Sequence, residues 1–109
     1  MTIAYKVLGQ VNPSATTNTT LYTVPAGNSA VISTITVCNL IGTVANFRIA
    51  VRPAGAAISN EHYIAYDVAI GANEMQTFTL GISLEATDVV SVYATLATVS
   101  FNAFGVELT

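Results

Sequence analysis

The chain has 109 residues, of which 52% are apolar and only 8% charged, with a net charge of −3 at neutral pH. That length supports one domain whose core needs no metal, and the single cysteine, Cys38, excludes an internal disulfide. Lys6, Arg48 and Arg52 are the only Lys and Arg residues and form no basic patch, which argues against nucleic-acid binding, where phosphates must be neutralised in number.

The opening "MTIAYKVLGQ" lacks the cationic segment and long apolar run of a signal peptide. Val, Ile and Thr dominate throughout, residues that stiffen at χ1 and fit pleated surfaces. Turn signals recur at roughly the 8–12-residue spacing of sandwiches and barrels. Strands are predicted near 3–9, 19–24, 29–40, 44–52, 62–70, 74–80, 88–96 and 98–107. The expected fold is all-β: a single antiparallel β-sandwich domain, jelly-roll-like, with about eight strands spanning 1–109.

Between the first two strands, "GQVNPSATTNTT" (9–20) is polar and turn-rich and reads as a loop or an arm. Its "NTT" matches a glycosylation sequon, as a Thr-rich stretch does by chance. "VPAG" (24–27) and "RPAG" (52–55) read as β-turns with proline second and glycine fourth. The most hydropathic stretch, "AVISTITVCNLIGTVANF" (30–47), is broken by Ser33, Thr34, Thr36, Asn39, Gly42 and Asn46. It reads as two strands joined at "NLIGT" rather than as a membrane helix of about 20 apolar residues. Within it, Cys38 is expected as a small buried hydrophobe.

Strand 44–52 has period two most clearly. Phe47, Ile49 and Val51 are expected in the core, with Asn46, Arg48, Ala50 and Arg52 facing out. The two guanidiniums then stand about 13 Å apart, too far to grip one carboxylate together. They are either solvated charges on an outer face or, as favoured here, contacts to acidic residues of a neighbouring subunit or another protein. Strand 98–107 puts Val99, Phe101 and Ala103 inward and Asn102 and Phe104 outward; an outward Phe104 implies a covered surface.

No constellation for catalysis is legible. His62 is the only histidine; its neighbour Glu61 would point to the opposite face of a strand, so the pair is a poor dyad. Glu85 and Asp88 in "LEATDVV" read as turn residues rather than cation ligands. The tyrosines at 5, 22, 63, 66 and 93 fit either a sugar-binding platform or, preferentially, interface positions where a ring end stays wet. The expected interface residues are therefore Arg48, Arg52, Phe104, Tyr63 and Tyr66. No catalytic, metal or cofactor site is expected.

The stretches "LYTVPAGNSAVISTITVCN", "FRIAVRPAGAAISNEHYIAYDV" and "SVYATLATVSFNAFGVE" resemble small virion structural proteins of tailed bacteriophages, especially marine and cyanobacterial ones. The resemblance covers about 19–107. It implies a non-enzymatic β-rich component of the phage particle, assembled in the host cytoplasm. Its implied roles are a capsid decoration (cement) protein on the head shell, or a tail or fibre module binding another virion protein or a host-surface glycan. The implied partners are copies of itself, as a homotrimer, and the major capsid protein or another virion protein, without nucleic acid or membrane.

Overall fold

The computed structural model describes residues 2–109. Its strands are β1 (Ile3–Val11), β2 (Thr19–Thr23), β3 (Ser29–Asn39), β4 (Ala45–Arg52), β5 (Tyr63–Ile70), β6 (Met75–Leu84), β7 (Val89–Ala94) and β8 (Val99–Leu108). Two single 3-10 turns, Pro53–Gly55 and Asn60–His62, lie between β4 and β5. The strands form two four-stranded sheets, β1-β8-β3-β6 and β2-β7-β4-β5, with antiparallel neighbours throughout. Successive strands alternate between the sheets in the pairs β1–β2, β3–β4, β5–β6 and β7–β8, which is jelly-roll topology. The apolar stretch 30–47 is divided between β3 and β4, and among the described residues no helix is long and apolar enough to cross a membrane.

The core lies between the sheets and is built from the inward set of each strand. Phe47 and Ile49 of β4 meet Val90 and Val92 of β7, Ile32, Ile35 and Val37 of β3, and Val99, Phe101 and Ala103 of β8. Phe47 sits at its centre, edge-to-face with Phe78 (5.9 Å) and Phe101 (6.0 Å). Burial of a side chain this size contributes about 1.5–3 kcal/mol. Val51 is only half-buried but packs on the same cluster. Ala50, on the outward side, is buried all the same, in a row with Ser91 and Tyr63.

An irregularity runs across the first sheet. Register shifts at Leu8 of β1 and Ser33 of β3, and Gly81 in β6 has a left-handed φ of 66°. Ser33 Oγ donates to the Phe104 carbonyl at 3.0 Å. The bulge at Ser33 switches the inward set of β3 from even positions (Ala30, Ile32) to odd ones (Ile35, Val37, Asn39). Cys38 therefore faces outward and is half-buried, between Met75 and Ser100, contrary to the core position expected from its sequence. Gly81 bends β6 without ending it, so that strand continues to Leu84 rather than stopping at 80.

The ends of the sandwich depend on polar groups. β1 runs to Val11, leaving residues 12–18 as the connection to β2. Thr16 N–H donates to the Ala94 carbonyl at 2.8 Å and Pro13 is buried, so this segment is a loop closed onto its own sandwich. Both Pro-Ala-Gly turns close one residue later than expected. Asn28 N–H bonds the Pro25 carbonyl and Ala56 N–H the Pro53 carbonyl, which places glycine third, where Gly27 (φ 82°) and Gly55 (φ 68°) take the left-handed conformation. At the opposite end, buried Asn39 donates through Nδ2 to the carbonyls of Thr43 (2.8 Å) and Gly71 (3.1 Å), tying the β3–β4 and β5–β6 connections together.

Candidate binding surfaces on the two outer faces

The outer face of β2-β7-β4-β5 is organised around Arg48. Phe47 pairs with Val68 and Ile49 with Ala65, so two residues of β5, Tyr66 and Asp67, stand opposite Arg48 alone. Asp67 adopts φ 50° in this bulge. Strict alternation would send Tyr66 and Asp67 to opposite faces; the bulge delivers both to the arginine. Arg48 Nε donates to Asp67 Oδ1 at 2.7 Å and Nη2 to Oδ2 at 3.3 Å. Its guanidinium carbon lies 4.2 Å from the ring centroids of both Tyr66 and Tyr93. The Asp67 hydrogen bonds raise the arginine's already high pKa further. The carboxylate that Arg48 grips thus belongs to its own chain, where a neighbour's carboxylate was expected.

Arg52 is also engaged at home. Nε donates to Ser91 Oγ at 3.0 Å and Nη1 to the Ala56 carbonyl at 3.0 Å, pinning the 53–56 turn over β7. Asp88 completes that corner: Oδ1 accepts from Ala54 N–H at 2.8 Å and Oδ2 from Glu85 N–H at 2.9 Å. Both Asp88 oxygens serve turns, as the sequence indicated. His62 closes the second 3-10 turn, its Nδ1 accepting from Ser59 N–H at 3.1 Å. Hydrogen bonds from its own backbone and from Ser59 lower the carboxyl pKa of exposed Glu61. Among the described residues no group of three His, Cys, Asp or Glu side chains converges to hold a metal.

The five tyrosines divide three ways. Tyr63, Tyr66 and Tyr93 gather beside Arg48, with Tyr63 and Tyr66 edge-to-face at 4.8 Å and 81°. Tyr22 is buried between the sheets, its hydroxyl donating to Glu107 Oε2 at 2.5 Å, while Lys6 Nζ bonds Oε1 at 2.8 Å. Lys6 and then Tyr22 hold the Glu107 carboxyl below its usual range; burial and the nearby carboxylate push the Tyr22 phenol well above its own. A carboxylate held ionised beside a phenol held protonated makes a cross-sheet latch and supplies no acid or base near neutral pH. Sequence reading missed Glu107 because "GVEL" carries no polar motif around it.

Tyr5 belongs to the outer face of the other sheet and is 82% exposed. Paired rows there place Ile3 beside Leu108, Tyr5 beside Val106 and Val31, and Val7 beside Phe104. Ile3, Tyr5 and Val7 are exposed; Phe104, Val106, Leu108 and Val31 are half-buried. Toward the other end of this face the rows become polar, with Thr34 beside Thr79 and Thr36 beside Thr77 and Asn102. Of the residues expected at an interface, the structure brings Arg48, Tyr63 and Tyr66 together, sets Arg52 on the same sheet, and puts Phe104 on the opposite one.

The fold has a counterpart among solved structures. The chain matches, over 97% of its length, part of a chain in the structure of infectious bursal disease virus Gx strain, with a TM-score of 0.51 and 10% identity. It spans 31% of that chain. At this identity the likeness concerns the fold. No family model and no curated protein sequence matches the chain.

Proposed function

We propose that this chain is a non-enzymatic structural protein of a virus particle, a capsid decoration (cement) protein of a tailed bacteriophage that binds and stabilises the head shell. The observation that carries this reading is the apolar outer face of β1, β8 and β3. Ile3, Tyr5 and Val7 lie exposed on a nine-residue edge strand, beside Phe104, Val106 and Leu108. Exposed contiguous apolar surface on a small domain marks an interaction site. Every 100 Å² of it buried against a shell contributes about 2.5 kcal/mol before the costs of association. The sparse charge, the jelly-roll topology shared with part of a virus structure, and the sequence resemblance to phage virion proteins support the same reading. In this reading the protein assembles as a homotrimer, and repetition over the shell lattice adds avidity. Binding only the assembled shell stabilises it by mass action.

The test is a copy count and a binding assay. Quantitative mass spectrometry of purified particles should find hundreds of copies, and added protein should coat undecorated shells. Tyr5→Glu with Val7→Glu should abolish that coating while the subunit stays folded. A count of a few to tens of copies would move the protein to the tail, and failure of the parent protein to bind shells would remove the decoration role.

A further inference from the structure

The tyrosine cluster on β4, β5 and β7 lies on the sheet opposite the apolar face, and an open cavity of about 460 Å³ beside it is lined by Asn60, Tyr63 and Tyr66. That volume falls within the roughly 300–1,000 Å³ range of small-ligand sites. Its walls combine two kinds of group. Tyr63 and Tyr66 stand nearly perpendicular (81°), so their rings present two differently oriented aromatic surfaces, and Tyr66 is 56% exposed. Around them are the Asn60 amide, the phenol hydroxyls and, adjacent on β5, the half-open carboxylate of Asp67.

The charge arrangement decides what such a site accepts. Arg48 and Asp67 neutralise each other through two hydrogen bonds. An anionic ligand meets the Asp67 carboxylate, and both arginines of this sheet are already engaged, Arg48 by Asp67 and Arg52 by Ser91 Oγ and the Ala56 carbonyl. A cationic ligand competes with Arg48, which already lies against Tyr66 and Tyr93. What remains is a neutral molecule with one apolar face for a ring and many hydroxyls for amide, phenol and carboxylate. A pyranose ring has that chemistry: its axial C–H groups pack on the electron-rich face of an aromatic ring, and its equatorial hydroxyls reach outward.

From the perpendicular Tyr63–Tyr66 pair, the Asn60-lined cavity and the self-neutralised Arg48–Asp67 pair, we infer that this face is a binding site for a neutral saccharide unit of a glycan. The inference does not rest on the head-shell reading, since the two surfaces lie on opposite sheets. Arg48 lies against this cluster, 4.2 Å from the Tyr66 and Tyr93 ring centroids and bonded to Asp67.

The experiment is a glycan array holding neutral, sialylated and sulfated glycans, probed with the full chain displayed multivalently on streptavidin. Neutral glycans should be captured. Tyr63→Ala and Tyr66→Ala should each lower capture at least about tenfold, as loss of an aromatic stacking surface does. Tyr66→Phe, which keeps the ring, should retain most of it, and Tyr5→Ala on the other sheet should match the parent. A cooperative thermal melt, shifted by no more than the loss of one ring contact, confirms that the variants fold. Capture of no glycan, capture of charged glycans alone, or undiminished capture by folded Tyr66→Ala would overturn the assignment. So would loss of shell coating, in place of glycan capture, in Tyr66→Ala, because that outcome makes this face a protein interface. Glycan capture without shell coating would leave this site standing and remove the decoration role.

Discussion

Glu107 links three strands through two oxygens, to Lys6 on β1 and Tyr22 on β2. Its pKa is lowered in the folded chain, so its contribution to stability is present above the unfolded value near 4.5 and is lost as pH falls through the lower folded value. Tyr22 behaves in the opposite sense. Its folded pKa is raised, so its contribution is complete below pH 10 and declines as pH rises beyond that. Stability should therefore hold between these limits and fall at both ends. In Glu107→Gln the acid-side fall should shrink, and at neutral pH the variant should be about 1–3 kcal/mol less stable, as when a buried hydrogen-bond partner is compromised. Denaturant melts of both proteins from pH 3 to 11 check this; parallel acid limbs would show that Glu107 does not control them. Arg48 has a smaller effect because its pair is partly solvated, with Arg48 22% and Asp67 42% exposed at the side chain. Adding its two tyrosine contacts, Arg48→Ala should cost about 1–2 kcal/mol. Arg48→Lys should recover little of that, since an ammonium neither forks onto a carboxylate nor stacks in the same way. Equilibrium unfolding measures both.

At the scale of elements, bulges decide which side chains share a face. The shift at Ser33 turns Cys38 outward, and the one on β5 gathers Tyr66 and Asp67 beside Arg48. Strand β8 crosses the irregular zone of the first sheet through Gly105, where the neighbouring strand comes close. A Cβ on Gly105 would collide with the Val31 carbonyl oxygen and lie 3.0 Å from Ile32 Cα, both backbone atoms that side-chain rotation cannot move. Gly105→Ala should therefore destabilise by about 3 kcal/mol, the upper part of the usual overpacking range. Gly42→Ala, with open space around it, should stay within about 0.5 kcal/mol. Thermal or urea unfolding of the two variants compares them directly, and equal stabilities would mean that β3 and β8 can part at this point without cost.

At the scale of the molecule, the sandwich measures 45 × 27 × 20 Å and presents two unlike outer faces. One bears the aromatic cluster with its internal ion pair; the other bears the apolar rows of β1 and β8. A net charge of −3 gives little repulsion to keep copies apart. Sedimentation equilibrium at tens of micromolar should find a self-associated species, with a trimer the expected state. A parent protein that sediments as a clean monomer would remove the trimer from the proposed assembly.

The sequence by itself determined the strand count, the layered class and the inward residues of the regular strand stretches. Alternation in "FRIAV" assigned Phe47 and Ile49 to the interior, and Pro-Ala-Gly turns marked where strands end. These signals are local, and period two survives wherever a strand is regular. The tertiary structure decided the rest because each remaining feature depends on partners remote in sequence or on a slip in that period. Arg48 and Asp67 are 19 residues apart and meet because β5 carries an extra residue opposite β4. Tyr22 and Glu107 are 85 apart and meet because β2 and β8 close the same end of the sandwich from opposite sheets. One-residue bulges invert faces without changing composition, so the outward turn of Cys38 and the company of Arg48 became visible only once the strands were paired.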